Sequence, residues 1–121
     1  MTDFGTITWR GKSGREYKYL IYRIDAAFEA VAGNYVFAEE TSPGLFMPIY
    51  IGQTGDLSER FDKHHAMPCI KRNRAAFIHV HVNDGGEQAR LKEEADLIAR
   101  WDPPCNRARI PFVSRASLFA R

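Results

Sequence analysis

The chain has 121 residues, 45% of them hydrophobic, and a formal net charge of +2. That length suits one small domain with a single core, and so small a net charge does not by itself announce a nucleic-acid partner. No apolar run is long enough to span a bilayer and no signal-peptide pattern opens the chain, so the expected compartment is the cytoplasm, with no membrane partner.

Residues 5–24 read as a hairpin. Thr6 to Trp9 is a short strand, Gly11 to Gly14 a turn, and Tyr17 to Ile24 a second strand. Tyr17, Tyr19, Ile21 and Arg23 fall on one face of that strand, and Leu20, Tyr22 and Ile24 on the other. Asp25 is placed to cap a short helix running through Val31, which Gly33 ends. Tyr35–Glu39 and Pro48–Gln53 read as two antiparallel strands joined by a loop over 40–47 that contains Pro43-Gly44.

Gly52-Gln53-Thr54-Gly55 is a glycine-bracketed turn from strand to helix, where backbone amides can approach a phosphate. Asp56 with Glu59 three residues on makes a capping-box-like start for a helix from Leu57 to about Ala66, stopped before Pro68. On it Leu57 and Phe61 form the core contact, while Arg60 and His64, four apart, stack on adjacent turns. Phe77 to Val82 alternates strictly and is a strand, with His79 and His81 on one half-exposed face. A turn over 83–86 leads into a helix from Glu87 to Trp101, ended by Pro103-Pro104.

The last helix carries a carboxylate in an unexpected place. Leu91, Ile98 and Trp101 form its apolar stripe, and Glu94 falls in the middle, whereas Glu93 points away. An ionised carboxylate buried without a partner costs several kcal/mol, roughly, so Glu94 is expected to face a cleft with a cation or donors. Two basic stretches suit phosphates: Arg60 to Arg74, with Lys63, Lys71, Arg72 and Arg74, and the tail after Asn106, with Arg107, Arg109, Arg115 and Arg121. Cys69 and Cys105 are too few for a disulfide framework in a chain this long. A structural zinc site drawn from the histidines and cysteines is disfavoured, because there is no Cys-x-x-Cys pair.

Together these segments resemble the GIY-YIG nuclease family. Gly33-Asn34-Tyr35 stands where that family has its first tripeptide and Tyr50-Ile51-Gly52 where it has its second. Thr54, Leu57, Arg60 and His64 follow at matching spacing. Glu94-Ala95-Asp96-Leu97-Ile98 is similar to the family's metal-ligand helix, and Pro103-Pro104-Cys105-Asn106 to its closing segment. The likeness covers about residues 33–106. Asn34 departs from it, standing where the family has an aliphatic residue. The loop between the tyrosines is longer than in compact members, and the N-terminal hairpin lies outside the likeness.

The resemblance implies an α/β (α+β) domain, with a small, mainly antiparallel sheet flanked by helices. Residues 1–32 would form a hairpin and short helix in the same globule, 33–106 the nuclease core and 107–121 a basic tail. It implies hydrolysis of phosphodiesters, DNA before RNA, with one Mg²⁺ or Mn²⁺ held by Glu94. Tyr35 would be the general base, helped by a nearby cation because a free tyrosine titrates near pH ~10. His64 would relay its proton, Tyr50 would bond the phosphate or water, Arg60 would neutralise developing charge and Asn106 would hold the site together. Gly52, Thr54, Lys63, Lys71, Arg72 and Arg74 would bind substrate. The alternative is a catalytically silent nucleic-acid- or partner-binding module on the same fold. Specificity would come from the tail, the hairpin, a second copy of the chain or a partner protein.

Overall fold

A computed structural model describes residues 4–59 and 61–107, with Asp62 through its backbone alone. It is an α+β fold. Five strands, β1 (Thr6–Arg10), β2 (Glu16–Arg23), β3 (Gly33–Ser42), β4 (Leu45–Thr54) and β5 (Phe77–Val82), form one antiparallel sheet in the order β1-β2-β5-β3-β4. Three helices accompany it: α1 (Met67–Arg72), α2 (Glu87–Trp101) and α3 (Pro104–Arg107). The N-terminal hairpin extends the sheet, because β2 pairs with β5. Among the described residues no helix is long and apolar enough to cross a membrane.

Each face of the sheet buries its own cluster. On one, Tyr35, Phe37, Tyr50 and Ile78 pack under Leu57, Met67 and Ile70. On the other, Trp9, Tyr19, Val36 and Ile51 pack under Leu97, Ile98 and Trp101 of α2. The ladder pairs Phe37 with Tyr50 and Ala38 with Pro48, so Ile49 is an extra residue in β4. Pro48, which lacks an N–H, is tolerated because β4 is an edge strand.

Several expected elements form differently. The strands β3 and β4 run on to Ser42 and from Leu45, so a tight turn replaces the loop expected over 40–47. No helix forms between Asp25 and Val31. A seven-residue helix is too short to stand alone, and Phe28 is drawn onto Tyr22, ring centroids 4.9 Å apart. The helix expected from Leu57 is also absent. The Asp56 carboxylate accepts the Ser58 amide and hydroxyl (2.9 and 2.6 Å), closing a local turn that competes with a helix start. A 3₁₀ turn at Phe61–Lys63 follows. The α-helix begins only at Met67, with Pro68 in its first turn: proline opens this helix instead of stopping one.

The buried stripe of α2 is Arg90, Glu93 and Leu97, while Leu91 is 37% exposed. The reason lies across the interface, where the opposing sheet face carries polar groups beside its apolar cluster. Glu93, 4% exposed, accepts hydrogen bonds from the Tyr19 hydroxyl (2.6 Å) and Asn83 Nδ2 (3.2 Å), and it pairs with His81 Nδ1 (2.8 Å). Asn34, fully buried, donates to the Arg90 carbonyl and accepts from Asn83. Arg90 donates to Gln53 of β4. The carboxylate in the core is thus Glu93, and Glu94 is half-buried beside it.

Cys69 and Cys105 are joined by a disulfide, where the sequence pointed to no framework. It closes a loop of 36 positions between α1 and α3, worth on the order of 3–4 kcal/mol in chain entropy.

The two β5 histidines titrate in opposite senses. Trp9 donates its indole N–H to Nδ1 of His79 (3.0 Å). His79 is fully buried, not half-exposed as expected, and burial pushes its pKa down to about 4. His81 is raised, first by its hydrogen bond to Glu93, against the opposing pull of burial. The stability His81 contributes is present below its unfolded pKa and is lost as pH rises through its raised folded value. That of His79 is present above the ordinary imidazole range and is lost as pH falls towards about 4. An NMR titration of the ring protons should show His81 titrating above ~6.5 and His79 neutral until about pH 4. A His79 that titrates in the ordinary range would contradict this packing.

Candidate functional site

The tyrosines of the two tripeptides lie on neighbouring strands. In the β3–β4 register Tyr35 pairs with Gly52 and Phe37 with Tyr50, so both rings rise from the same sheet face. The Tyr35 and Tyr50 rings stack with centroids 6.3 Å apart. His64, just past the 3₁₀ turn, sets its ring edge-on to Tyr50 (4.8 Å) and Tyr35 (6.0 Å), and His65 stacks on His64 (4.5 Å). Phe61 closes the cluster against Tyr35 at 4.8 Å.

Glycine makes this cluster possible. A Cβ on Gly52 would sit 2.6 Å from Cζ and Oη of Tyr35, so the tyrosine ring occupies the space a side chain would need. Gly33 is held in the same way, since its Cβ would meet Leu57 Cδ1 at 2.7 Å and the His81 carbonyl at 2.8 Å. The glycines of both tripeptides are therefore packing requirements, whatever their relation to phosphates.

At the centre a polar contact joins Tyr35 Oη to His64 Nε2 at 2.9 Å. Its direction follows from the other ring nitrogen. His64 Nδ1 accepts the Ala66 backbone N–H at 3.0 Å, so it carries no proton. The neutral imidazole must hold its proton on Nε2 and donate it to Tyr35. In that tautomer His64 is a donor to the tyrosine oxygen and not an acceptor of its proton.

Asn106, 5% exposed, supports the cluster from the sheet edge. Its Oδ1 accepts the Ile51 N–H and its Nδ2 donates to the Ile51 carbonyl, both at 2.8 Å. The side-chain amide replaces a missing neighbour strand at the residue between Tyr50 and Gly52, satisfying two backbone groups that are otherwise buried.

Glu94 stands on α2, which packs on the sheet face opposite the Tyr35 ring. At 100° per residue it lies on the flank of the helix away from Glu93 and Asp96, which turn to Tyr19 and Tyr17. Thr54 exchanges contacts with the backbone of Asp56 at the end of β4. Lys63, Lys71, Arg72 and Arg74 are exposed; Arg74 also reaches Glu39 at 3.5 Å. Arg60 and the tail residues Arg109, Arg115 and Arg121 lie outside the described residues.

For an ion, the donor chemistry separates the two adjacent glutamates. Among the described residues no group of three or more His, Cys, Asp and Glu side chains is arranged to hold a metal. A hard cation that keeps most of its waters needs only one or two carboxylates. Glu93 is already occupied by Tyr19, His81 and Asn83. Glu94 is half-buried on the other flank, a single carboxylate of the type such an ion takes.

The sequence did not flag Glu93, Arg90, Tyr19 and Asn83 as a linked group. The signal was present: a tyrosine and a histidine fall on inward faces of adjacent strands opposite a helix with paired glutamates.

In comparisons with known proteins, no family model, no curated protein and no solved structure matches this chain.

The Gly52 contact gives a direct test. Gly52→Ala should destabilise the fold by about 1–3 kcal/mol through overpacking. Most of that cost should vanish in a Tyr35→Ala background, read as coupling in a denaturation double-mutant cycle. An equal cost in both backgrounds would mean that Tyr35 does not fill the space over Gly52.

Proposed function

We propose that this chain is a divalent-metal-dependent endonuclease that hydrolyses phosphodiester bonds, DNA in the first instance, as its resemblance to GIY-YIG nucleases implies. The observation that carries the reading is the Tyr35 Oη–His64 Nε2 contact at 2.9 Å under the stacked Tyr50 ring. A general base must reach its water with an oriented oxygen, and here a fixed imidazole donor orients that oxygen.

In this mechanism Tyr35, as phenolate, takes the proton of the attacking water. The His64 N–H holds the tyrosine oxygen and stabilises the negative charge it carries before transfer. The Tyr50 hydroxyl orients the scissile phosphate or the water. The Arg60 guanidinium offsets charge on the phosphoryl oxygens with its two-pronged geometry. Glu94, carried by α2, would hold the Mg²⁺ or Mn²⁺, which would supply charge neutralisation and a lowered water pKa. Asn106 fixes β4 so that Tyr50 keeps its place. Lys63, Lys71, Arg72 and Arg74, all exposed, hold flanking phosphates, so binding should weaken steeply with salt.

The second reading is a silent nucleic-acid-binding module. It is favoured by the burial of both tyrosines, 4% and 3% exposed, which also suits core-edge aromatics.

A cleavage assay on duplex, branched and single-stranded substrates with Mg²⁺ or Mn²⁺ separates the two. Cleavage should be lost with chelator and should fall by at least ~10²-fold in Tyr35→Phe and Glu94→Gln without loss of fold. Glu93→Gln should instead lower stability by about 1–3 kcal/mol, because it weakens a buried hydrogen-bonded group. Full activity in Glu94→Gln would reject its role as ligand. Salt-sensitive binding with no cutting of any substrate would establish the silent module.

A further inference from the structure

The clamp that Asn106 places on β4 is tied to the rest of the molecule through its neighbour Cys105. Helix α3 has only four residues, too few to hold itself in place. Its disulfide partner, Cys69, lies on α1, the segment that follows His64. One S–S bond therefore joins the stretch bearing His64 to the stretch bearing Asn106. The two sulfurs differ in access. Cys105 is 1% exposed and Cys69 is half-buried. Asn73 Nδ2 lies 3.6 Å from both sulfurs, a donor placed to meet a sulfur that gains negative charge.

We propose that Cys69–Cys105 is a thiol–disulfide modification site, through which a dithiol reductant releases the Asn106 clamp on β4. A thiolate of the reductant attacks Cys69 Sγ, the accessible sulfur. The S–S bond breaks, a mixed disulfide forms at Cys69, and Cys105 leaves as a thiolate that takes up a proton. The reductant's second thiolate then attacks its own sulfur in the mixed disulfide, and Cys69 leaves and is protonated in turn. Two electrons and two protons pass to the protein, and the reductant ends as its own disulfide. Oxidised glutathione reverses the change. With the bond open, α3 keeps its backbone link to α2 and its noncovalent contacts alone, and Asn106 leaves the Ile51 amide more often.

The Ile51 N–H reports on the clamp directly, because Asn106 Oδ1 is its acceptor. The full chain is compared as the oxidised form and after reduction with dithiothreitol. Thiol state is followed by alkylation and intact mass, and backbone exchange is followed by NMR. Exchange at Ile51 should quicken by about tenfold or more on reduction, while Val36 on the interior strand β3 holds its rate. Oxidised glutathione should restore slow exchange, and Cys69→Ala should resemble the reduced protein in either buffer. This readout needs no catalysis, so it stands or falls apart from the nuclease reading. Equal Ile51 exchange in both states would overturn the proposal, as would thiols that stay free in oxidised glutathione. Ile51 and Val36 quickening together would overturn it too, since the bond would then be a staple of the whole fold.

Discussion

The Tyr35 ring lies across Gly52 of the neighbouring strand, and the rest of the candidate site depends on that contact. The β3–β4 register puts the two residues opposite each other, and the missing Cβ gives the ring its space. With Tyr35 lying there, its hydroxyl meets His64, its face stacks with Tyr50, and Phe61 closes the side. A slip of β4 by one residue in this register would turn Tyr50 to the opposite face, under α2, and take Gly52 from beneath the Tyr35 ring. The Asn106 amide guards against that on the open side of β4, where no further strand fixes the pairing.

The second face of the sheet is built on another principle. Where α2 crosses β2, β5 and β3, buried and half-buried polar groups join it to the sheet through Glu93, Asn34, Tyr19, His81 and Asn83. Such a network fixes direction more sharply than an apolar interface does, since each member needs its partner. Asn34 stands where the resembled family carries an aliphatic residue, and in this chain it bonds the Arg90 carbonyl and Asn83.

Alternation and turn chemistry were legible where they act locally. The hairpin, the faces of β2, the strand β5 and the extent of α2 follow from side-chain period and from glycine and proline positions. Tyr35, Tyr50 and His64, matched by spacing alone, meet in one cluster. What was not legible depends on tertiary partners. The helix wheel puts Glu94 in the stripe and Glu93 outside it, because a wheel does not show the partners that Tyr19, His81 and Asn83 set opposite Glu93. A helix was expected at Leu57 because Asp56 and Glu59 look like a capping box, but the Asp56 carboxylate bonds Ser58 two residues on. Two cysteines 36 positions apart gave no sign of pairing, since their proximity arises from how α1 and α3 are placed.

The central claim is that His64 is a fixed hydrogen-bond donor to the oxygen of Tyr35. Nitrogen-15 NMR of the imidazole rings reads the tautomer directly in the metal-free protein near neutral pH. The account predicts that His64 carries its proton on Nε2, with Nδ1 unprotonated and accepting from Ala66, and that Tyr35→Phe shifts the Nε2 resonance. A His64 protonated on Nδ1, or an Nε2 signal indifferent to Tyr35→Phe, would contradict it.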